Sequence, residues 1–336
     1  MTASADVDNA FLGQEVDVPE IDEALRQLWA SSDAVTKASL INFAIYNENA
    51  ASLDENTRLI AEVTREHACR AILIAAEPAK GETSVRAWIT AHCQLSGSGG
   101  KSVCSEQITF LLRGHIRNLL RNLVFAHLES DLPLVFFWQG DFSERWEPHL
   151  YRHIDRLVID SGEWSDATTQ LGKLRAAWKD SVSHFVVLDL VWLRVFSFRL
   201  ALAGAFDEAM ARAHLDAINR LEIAFAPGHR VAACLMAAWV ACKAGWPLSR
   251  LDVSLREEPG APLSRLELSS AGARVILRRE EGGQFVHSRI EAGAVTLEQV
   301  MPALSNDCAR LVTERLSRGG NNMLYFKLWR AARTLL

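Results

Sequence analysis

The sequence predicts an α/β protein with two domains, each a mixed β-sheet flanked by helices. At 336 residues the chain is long for one hydrophobic core. Strand-like apolar runs alternate with amphipathic helical segments in both halves. Short strands separated by glycine turns precede two helices at the C-terminus, which predicts that the second domain ends in a β-meander followed by helices. The predicted boundaries are a mobile acidic tail over 1–18, a first domain over 19–182 and a second over 183–336.

The first domain is predicted to begin with three elements: a helix over 20–30, a strand over 39–47 and a helix over 53–67. Ser52 and Glu55 have the spacing of a capping box, which marks the start of the second of these helices. The run RAILIAA (70–76) is apolar throughout, which is typical of a strand covered on both faces.

Two long strands, Val85–Leu95 and Val103–Leu112, flank the short loop SGSGGK. They are predicted to pair as an antiparallel hairpin, because so short a connection cannot make a parallel crossover. A helix follows over about 115–128. The phrases DLPLVFFWQGD (131–141) and DRLVIDSGEW (155–164) each predict a strand, and a helix over 167–180 completes the domain.

The second domain is predicted to be helical from Trp192, with a strand in INRLEIAFAP and a helix over 229–244. The meander consists of LSRLELS, ARVILRRE and FVHSRIE, with glycines at the turns. Thr296 and Gln299 are interpreted as the cap of a long helix that ends near residue 317, and a terminal helix follows the Gly319–Gly320 pair.

Composition narrows the classes of function. The net charge of −5 argues against general nucleic-acid binding, which needs clustered Lys and Arg. The longest apolar run is shorter than a membrane span, and the N-terminus has no signal-peptide pattern, so a cytoplasmic protein is expected. Six cysteines without a CxxC pair predict buried, reduced thiols rather than a disulfide framework or a zinc ribbon.

The loop SGSGGKS (96–102) has a phosphate-binding appearance but lacks the required context. Leu95 stands where the P-loop needs glycine, and a strand follows instead of a helix. No dinucleotide-binding glycine fingerprint, nucleophile elbow or paired-carboxylate motif is present, and no cofactor is predicted.

Cys93 and Cys104 lie on the two hairpin strands, and pairing of those strands brings them face to face. His92 is adjacent to Cys93 and therefore points to the opposite face, so it is poorly placed as a base for that thiol. Two structural thiols are the favoured interpretation, since free cysteine is usually buried. A reversible redox pair stays open as the alternative.

Two clusters of basic and imidazole side chains are candidate binding sites. His149 and His153 have helical i, i+4 spacing that suits two metal ligands, with Glu144 or Asp155 as a third, but a surface pair is favoured and no metal is predicted. A basic cluster opens the helix after residue 114 and consists of Arg113, His115, Arg117 and Arg121. Contact with an acidic partner surface or with solvent is the favoured interpretation of this cluster.

Trp138 and Asp141 lie at the carboxyl end of the predicted central strand, where α/β sheets present their binding crevice. An exposed tryptophan there would be a good anchor for a protein partner. The predicted partner-contact residues are therefore Arg113, Arg117, Arg121, Trp138 and Asp141.

Several phrases, taken in order, resemble the glucose-6-phosphate dehydrogenase assembly proteins of the OpcA type. They are ITAHCQL, VCSEQITF with its trailing Arg-Gly, SDLPLVFFWQGD, DRLVIDSGEW and DLVWLRVFSFR, and the likeness covers most of the chain after about residue 15. Cys104 is followed by Ser105 where many relatives carry adjacent cysteines, which puts cysteine-based regulation in doubt. Ser197 in the SFR phrase also departs from the pattern.

The resemblance implies a non-catalytic accessory protein that binds glucose-6-phosphate dehydrogenase, favours its active oligomer and improves its response to glucose 6-phosphate. Two other classes of function are carried as alternatives. The first is an enzyme acting on a sugar phosphate in a crevice near Trp138, Asp141 and His92. The second is a redox sensor that uses Cys93 and Cys104.

Overall fold

The computed structural model describes residues 12–30, 35–78, 81–95, 102–115, 119–181, 185–320 and 322–336. The chain divides into two compact units. The first unit comprises 1–159 and 173–187, and the second comprises 160–172 and 188–336. The domain boundary expected between residues 182 and 183 stays a prediction, because 182–184 lie outside the described part of the chain.

The first unit is built on a nine-stranded sheet. Its strands are β1 (Gln14–Val16), β2 (Val35–Lys37), β3 (Ile41–Asn47), β4 (Cys69–Glu77), β5 (Ser84–Leu95), β6 (Ser102–Arg113), β7 (Leu134–Trp138), β8 (Arg156–Ile159) and β9 (Val186–Asp189). The accompanying helices are α1 (Ile21–Ala30), α2 (Leu53–Glu66), α3 (Leu119–Ala126), α4 (Pro148–Tyr151) and α5 (Ala167–Asp180). The divide between the units passes through α5 and β9.

The strand order of this sheet is β1-β5-β6-β4-β3-β7-β8-β9, with β2 beside β6. The pairs β6–β4, β4–β3, β3–β7 and β7–β8 are parallel. Without β1 and the antiparallel β5, six strands remain along the sheet, in the order β6-β4-β3-β7-β8-β9. Numbered by their order in the chain, these six strands read 3-2-1-4-5-6, which is the strand order of the Rossmann fold. Strand β4 is buried along almost its whole length, as predicted for a strand with both faces covered.

The hairpin of β5 and β6 is antiparallel over twelve residue pairs, which confirms that prediction, and its loop at 96–101 lies outside the described residues. Residues 14–16 were expected in a mobile tail, and this expectation is wrong for them. They form β1, which pairs with β5, and Glu15 is bonded to Arg86 at 2.8 Å. The capping box is also wrong, because the Ser52 side chain makes no capping bond to α2; the cap nearby is that of the preceding 3-10 turn Ala50–Ser52, where Asn49 accepts from Ala51 N.

The second unit carries a six-stranded sheet of order β11-β10-β12-β13-β14-β15. Its strands are β10 (Arg220–Phe225), β11 (Asp252–Glu257), β12 (Arg265–Ser269), β13 (Ala273–Arg279), β14 (Phe285–Ala292) and β15 (Val295–Pro302). Its helices are α6 (Leu190–Arg194), α7 (Phe196–Asp207), α8 (Ala209–Ala213), α9 (Arg230–Ala244), α10 (Cys308–Ser317) and α11 (Asn322–Ala332).

The meander β12-β13-β14 is confirmed, and β15 extends it. The long helix expected to begin at Thr296 and Gln299 is wrong in its first half. Residues 295–302 alternate in exposure with the period of a strand and pair with β14, and α10 begins only after Asp307, which caps it through Arg310 N at 2.9 Å. Helix α9 is buried over most of its length and ends at Gly245, whose φ of 73° suits glycine.

A buried ion-pair network anchors the first sheet at the start of its parallel strands. Glu106 is 1 % exposed and lies 3.1 Å from the Arg70 guanidinium and 3.0 Å from Lys37 Nζ. Trp29 Nε1 also donates to its carboxylate at 2.9 Å, which ties α1 to β6. Removing one member of such a network leaves a buried charge without its partner.

We therefore expect Glu106→Gln to lower the free energy of unfolding by about 3 kcal/mol, because it removes the buried carboxylate and leaves Arg70 and Lys37 to share the single, partly exposed Glu129. The measurement is urea denaturation of the full chain. Glu129→Gln is the matched control, because Glu129 contacts the same Arg70 at 2.9 Å with 35 % of its side chain exposed. It should cost less than about 1 kcal/mol. Equal losses in the two variants would contradict a special role for the buried carboxylate.

Candidate functional site

The carboxyl edge of β3 and β7 is the place where a Rossmann-ordered sheet opens its ligand crevice. Here that edge is closed by three amide side chains. Gln139, which follows β7, accepts from Asn47 Nδ2 at 2.6 Å and from Asn56 Nδ2 at 2.9 Å, and its own Nε2 donates to Asn56 Oδ1 at 2.7 Å. The strand end, the helix α2 and the neighbouring strand are thereby bonded together across the crevice.

The turn between β3 and α2 is also unsuited to a pyrophosphate. It reads Asn-Glu-Asn-Ala-Ala-Ser over 47–52 and has none of the glycines that let a backbone approach a dinucleotide. Glu48 places a carboxylate at this turn, bonded to Arg145 Nη1 at 2.9 Å and to Tyr46 Oη at 2.8 Å. A phosphate bound at this turn would have to compete with the Glu48 carboxylate for Arg145.

In a dinucleotide-binding sheet, an acidic residue at the end of the neighbouring strand binds the ribose. The residue at that position here, Glu77, is already bonded to an arginine of its own sheet. Glu77 ends β4 and lies opposite Arg113 of β6, which donates to it at 2.7 Å. Arg113 was predicted to contact a partner protein. In this structure its guanidinium is engaged within its own sheet.

Trp138 is 1 % exposed, so the prediction of an exposed tryptophan anchor is wrong. Its ring lies 4.5 Å from that of Tyr46 and 5.4 Å from that of Trp146, and its Nε1 donates to the Asp141 carbonyl at 3.0 Å. Trp138 therefore fills the core below the crevice, because β7 is central and covered on both faces.

The three residues proposed for a sugar-phosphate enzyme do not come together. Trp138 is buried, and Asp141 follows β7. His92 is on β5, four positions away from β7 in the sheet, which is roughly 19 Å at about 4.8 Å per strand. The hairpin therefore sets His92 far from the crevice.

The remaining predicted sites have mixed outcomes. Arg121 bonds to Asn122 Oδ1 at 3.1 Å, and Arg117 lies outside the described residues. His149 and His153 are exposed, and the His153 ring meets Phe125 edge to face at 5.0 Å. Within the described residues, no three His, Cys, Asp or Glu side chains are grouped closely enough to hold a metal ion.

None of the described helices combines the length and apolar character that a membrane crossing needs.

Cys93 and Cys104 form a disulfide across the hairpin, so the favoured interpretation of two free structural thiols is wrong. They occupy directly opposed positions of β5 and β6, with the Cα atoms 4.1 Å apart. Cys104 is buried, whereas Cys93 is exposed. The other four cysteines are free, and burial raises the pKa of the Cys69, Cys234 and Cys308 thiols.

The sequence analysis missed a buried polar network in the second unit. Asp160 is 3 % exposed and binds Arg194 through two hydrogen bonds of 2.7 and 2.6 Å. Asp189 is 1 % exposed and accepts from Ser161 Oγ at 2.6 Å and from Tyr325 Oη at 2.8 Å. Burial raises the pKa of Asp189 and that of Tyr325. The network is inaccessible and ties the start of α6 to α11.

Four of these five residues lie inside two phrases that carry the family resemblance: Asp160 and Ser161 in DRLVIDSGEW, and Asp189 and Arg194 in DLVWLRVFSFR. The signal in the sequence was two aspartates, each at the end of an apolar strand. An aspartate at that position either opens a ligand site or caps the following helix, as Asp189 does for α6.

Two family models match the chain. One describes the N-terminal domain of the glucose-6-phosphate dehydrogenase subunit, and it matches residues 60–176. The other describes the C-terminal domain of the same dehydrogenase subunit, and it matches residues 186–329. No curated protein matches the chain.

Solved structures similar to this chain include three oxidoreductases. A 3-ketoreductase from Actinomadura kijaniata is 11% identical with a TM-score of 0.47, covering 87% of this chain and 94% of its own. An aldose-aldose oxidoreductase from Caulobacter crescentus is 9% identical (TM-score 0.46; 88% and 98% covered). An oxidoreductase domain protein from Kribbella flavida is 9% identical (TM-score 0.46; 89% and 96% covered). Structural similarity at this level indicates nothing about the chemistry of this chain.

The disulfide generates a direct prediction. Alkylation of the unfolded protein without reductant should leave Cys93 and Cys104 unmodified, and both should react after reduction, as read by mass spectrometry. Cys93→Ser should lower the free energy of unfolding by about 2–3 kcal/mol, because the closed loop no longer restricts the unfolded chain. Cys242→Ser is the control and should change little. Alkylation of both residues in the unreduced protein would exclude the bond.

The partly buried His92 generates a prediction about pH. Burial lowers the pKa of His92, whose Nε2 lies 2.7 Å from Gln107 Oε1. The unfolded chain, with a histidine pKa of about 6.5, binds the proton more readily than the folded chain, so stability falls as the pH drops below that value. Urea unfolding at pH 7.5 and 5.0 should therefore show a smaller acid loss for His92→Gln than for the wild type. The exposed His149→Gln should keep the wild-type loss, and an unchanged loss in His92→Gln would contradict the assignment.

Proposed function

Because the chain belongs to the OpcA family of glucose-6-phosphate dehydrogenase assembly proteins, we propose that it is a non-catalytic accessory protein of that dehydrogenase. It binds the enzyme, promotes its active oligomer and raises its activity in the oxidative pentose phosphate pathway. The chain itself makes and breaks no bond of the substrate.

The closed crevice is the observation that best supports a role without catalysis. The sheet has the strand order of a dinucleotide-binding domain, yet Gln139 joins Asn47 and Asn56 across the edge where the cofactor would enter. Glu48 adds a carboxylate at the turn that would receive the phosphates. These features favour a scaffold that presents surfaces to a partner.

An activator of this kind works by binding the active state of the enzyme more tightly than the inactive state. A coupling free energy of about 1–3 kcal/mol changes the substrate affinity roughly 5- to 150-fold. By reciprocity, glucose 6-phosphate should then tighten the complex by the same factor. An interface of about 800 Å² on each partner is expected for a stable association.

The test combines kinetics and hydrodynamics with the dehydrogenase purified from the same cell. Adding the chain should lower the apparent KM for glucose 6-phosphate by about fivefold or more, and the two proteins should co-elute in size exclusion. The chain alone should show no turnover of glucose 6-phosphate and no calorimetric binding of NAD or NADP. Unchanged kinetics with no complex would refute the proposal, as would turnover by the chain alone.

A further inference from the structure

The six-stranded sheet of the second unit has two chemically different faces. Leu266, Leu277 and Ile290 point to the face on which α7 and α9 pack, and all three are buried. The intervening residues on β12 to β15 point the other way and are mostly charged and exposed or half-buried. We call this second surface the open face. An antiparallel sheet commonly keeps one face on the core and one in solvent.

Strand register gathers positive charge into one row of the open face. Arg265 of β12 lies directly opposite Arg278 of β13, and Arg278 lies opposite His287 of β14. Like charges at directly opposed positions of neighbouring strands are destabilising. The row continues to Val300 of β15, which is 57 % exposed. This arrangement places two guanidinium groups, of which only Arg265 is paired with a carboxylate, beside an exposed apolar side chain.

The acidic side chains of the same face are already paired with other arginines. Glu267 is bonded to Arg265 and, at 2.8 Å, to Arg274. Glu291 and Glu298 are bonded to Arg289 at 2.7 and 3.3 Å. Among the described residues, nothing forms an ion pair or a side-chain hydrogen bond with Arg278, although a guanidinium can hold a carboxylate through two bonds.

The geometry around Arg278 is concave. A cavity of about 390 Å³ is lined by side chains of the face, including Arg265, Arg278, His287, Arg289 and Val300. The sheet around it is large. The four strands of the open face, of five to eight residues, span roughly 440 Å² in projection at about 4.8 Å per strand and 3.3 Å per residue. This is a substantial part of the ~800 Å² that a standard interface buries on one partner.

We propose that the open face is the surface on which the dehydrogenase docks, with a carboxylate of the enzyme bound by Arg278 and an apolar side chain of the enzyme packed on Val300. This inference rests on the proposed function. A second copy of the chain is a poorer occupant of the cavity. The glutamates that line it are already bonded to Arg289, so the same face of a second copy offers Arg278 no unpaired carboxylate.

The test is the affinity of the full chain for the purified dehydrogenase, measured by calorimetry at two salt concentrations. Arg278→Glu should weaken the complex by about tenfold or more, because it replaces an attraction with a repulsion, and Arg278→Lys should stay within about threefold of wild type. The wild-type affinity should fall with added salt more steeply than that of Arg278→Glu. Because Arg278 is exposed and has no ion-pair partner among the described residues, both variants should keep the wild-type circular dichroism spectrum, and neither should have a lower Tm than the wild type.

Arg175→Glu is the matched control. Arg175 is exposed on α5, in the first unit, and it too has no ion-pair partner among the described residues. This variant should bind within about twofold of wild type, as expected for a charge outside the interface. If wild type, Arg175→Glu and Arg278→Glu all bind equally, the docking surface is refuted while the proposed function stands.

Two other outcomes overturn the inference in distinguishable ways. If the wild type fails to bind the dehydrogenase, the proposed function fails and the docking surface fails with it. If sedimentation shows a wild-type dimer that Arg278→Glu converts to a monomer, the occupant of the open face is a second copy of the chain, and the assignment to the dehydrogenase is wrong.

Discussion

The hydrogen bonds that join Gln139 to Asn47 and Asn56 are the constraint on which the proposed function rests. The strand order places β3 beside β7, and in a sheet of this order the two strand ends separate to form a crevice. The amide groups bond the edges to one another, and the Glu48 carboxylate, held by Arg145, occupies the turn above them. A partly buried amide network of this kind is stable because its members satisfy one another's hydrogen bonds. The first sheet thus keeps the strand order of a Rossmann fold, while amide side chains bond across the edge at which such sheets bind their ligands.

The proposed function places the binding chemistry of the molecule on its surfaces rather than at that edge. The open face differs from an ordinary solvated sheet face because its carboxylates are already paired, whereas Arg278 has no such partner among the described residues. A partner that supplies a carboxylate there gives Arg278 the ion-pair partner that it lacks in the isolated chain, so the free energy of docking includes a contribution from that new pair. A partner enzyme whose active form presents that carboxylate more favourably is shifted toward that form.

The family resemblance and the docking chemistry draw on different residues. The phrases DRLVIDSGEW and DLVWLRVFSFR contain Asp160, Ser161, Asp189 and Arg194, and all of these belong to the buried network of the second unit. Likeness in these phrases therefore reflects how the interior is held together. Arg278 and Val300 lie in the meander and β15, outside every phrase that carries the resemblance.

Local sequence pattern was sufficient to predict the buried strands β4 and β7, the β5–β6 hairpin and the meander, because continuous apolar runs, alternation and glycine turns are properties of neighbouring residues. The register that opposes Cys93 to Cys104 followed from the hairpin alone. Long-range packing set the other features. The alternating segment 295–302 became a strand because the β14 edge was there to pair with it, against the helix cap expected at Thr296. Trp138 is buried and Gln139 closes the crevice because β3 and α2, distant in the chain, meet them across the sheet. Those contacts join residues more than eighty positions apart, and no periodicity within a short window records them.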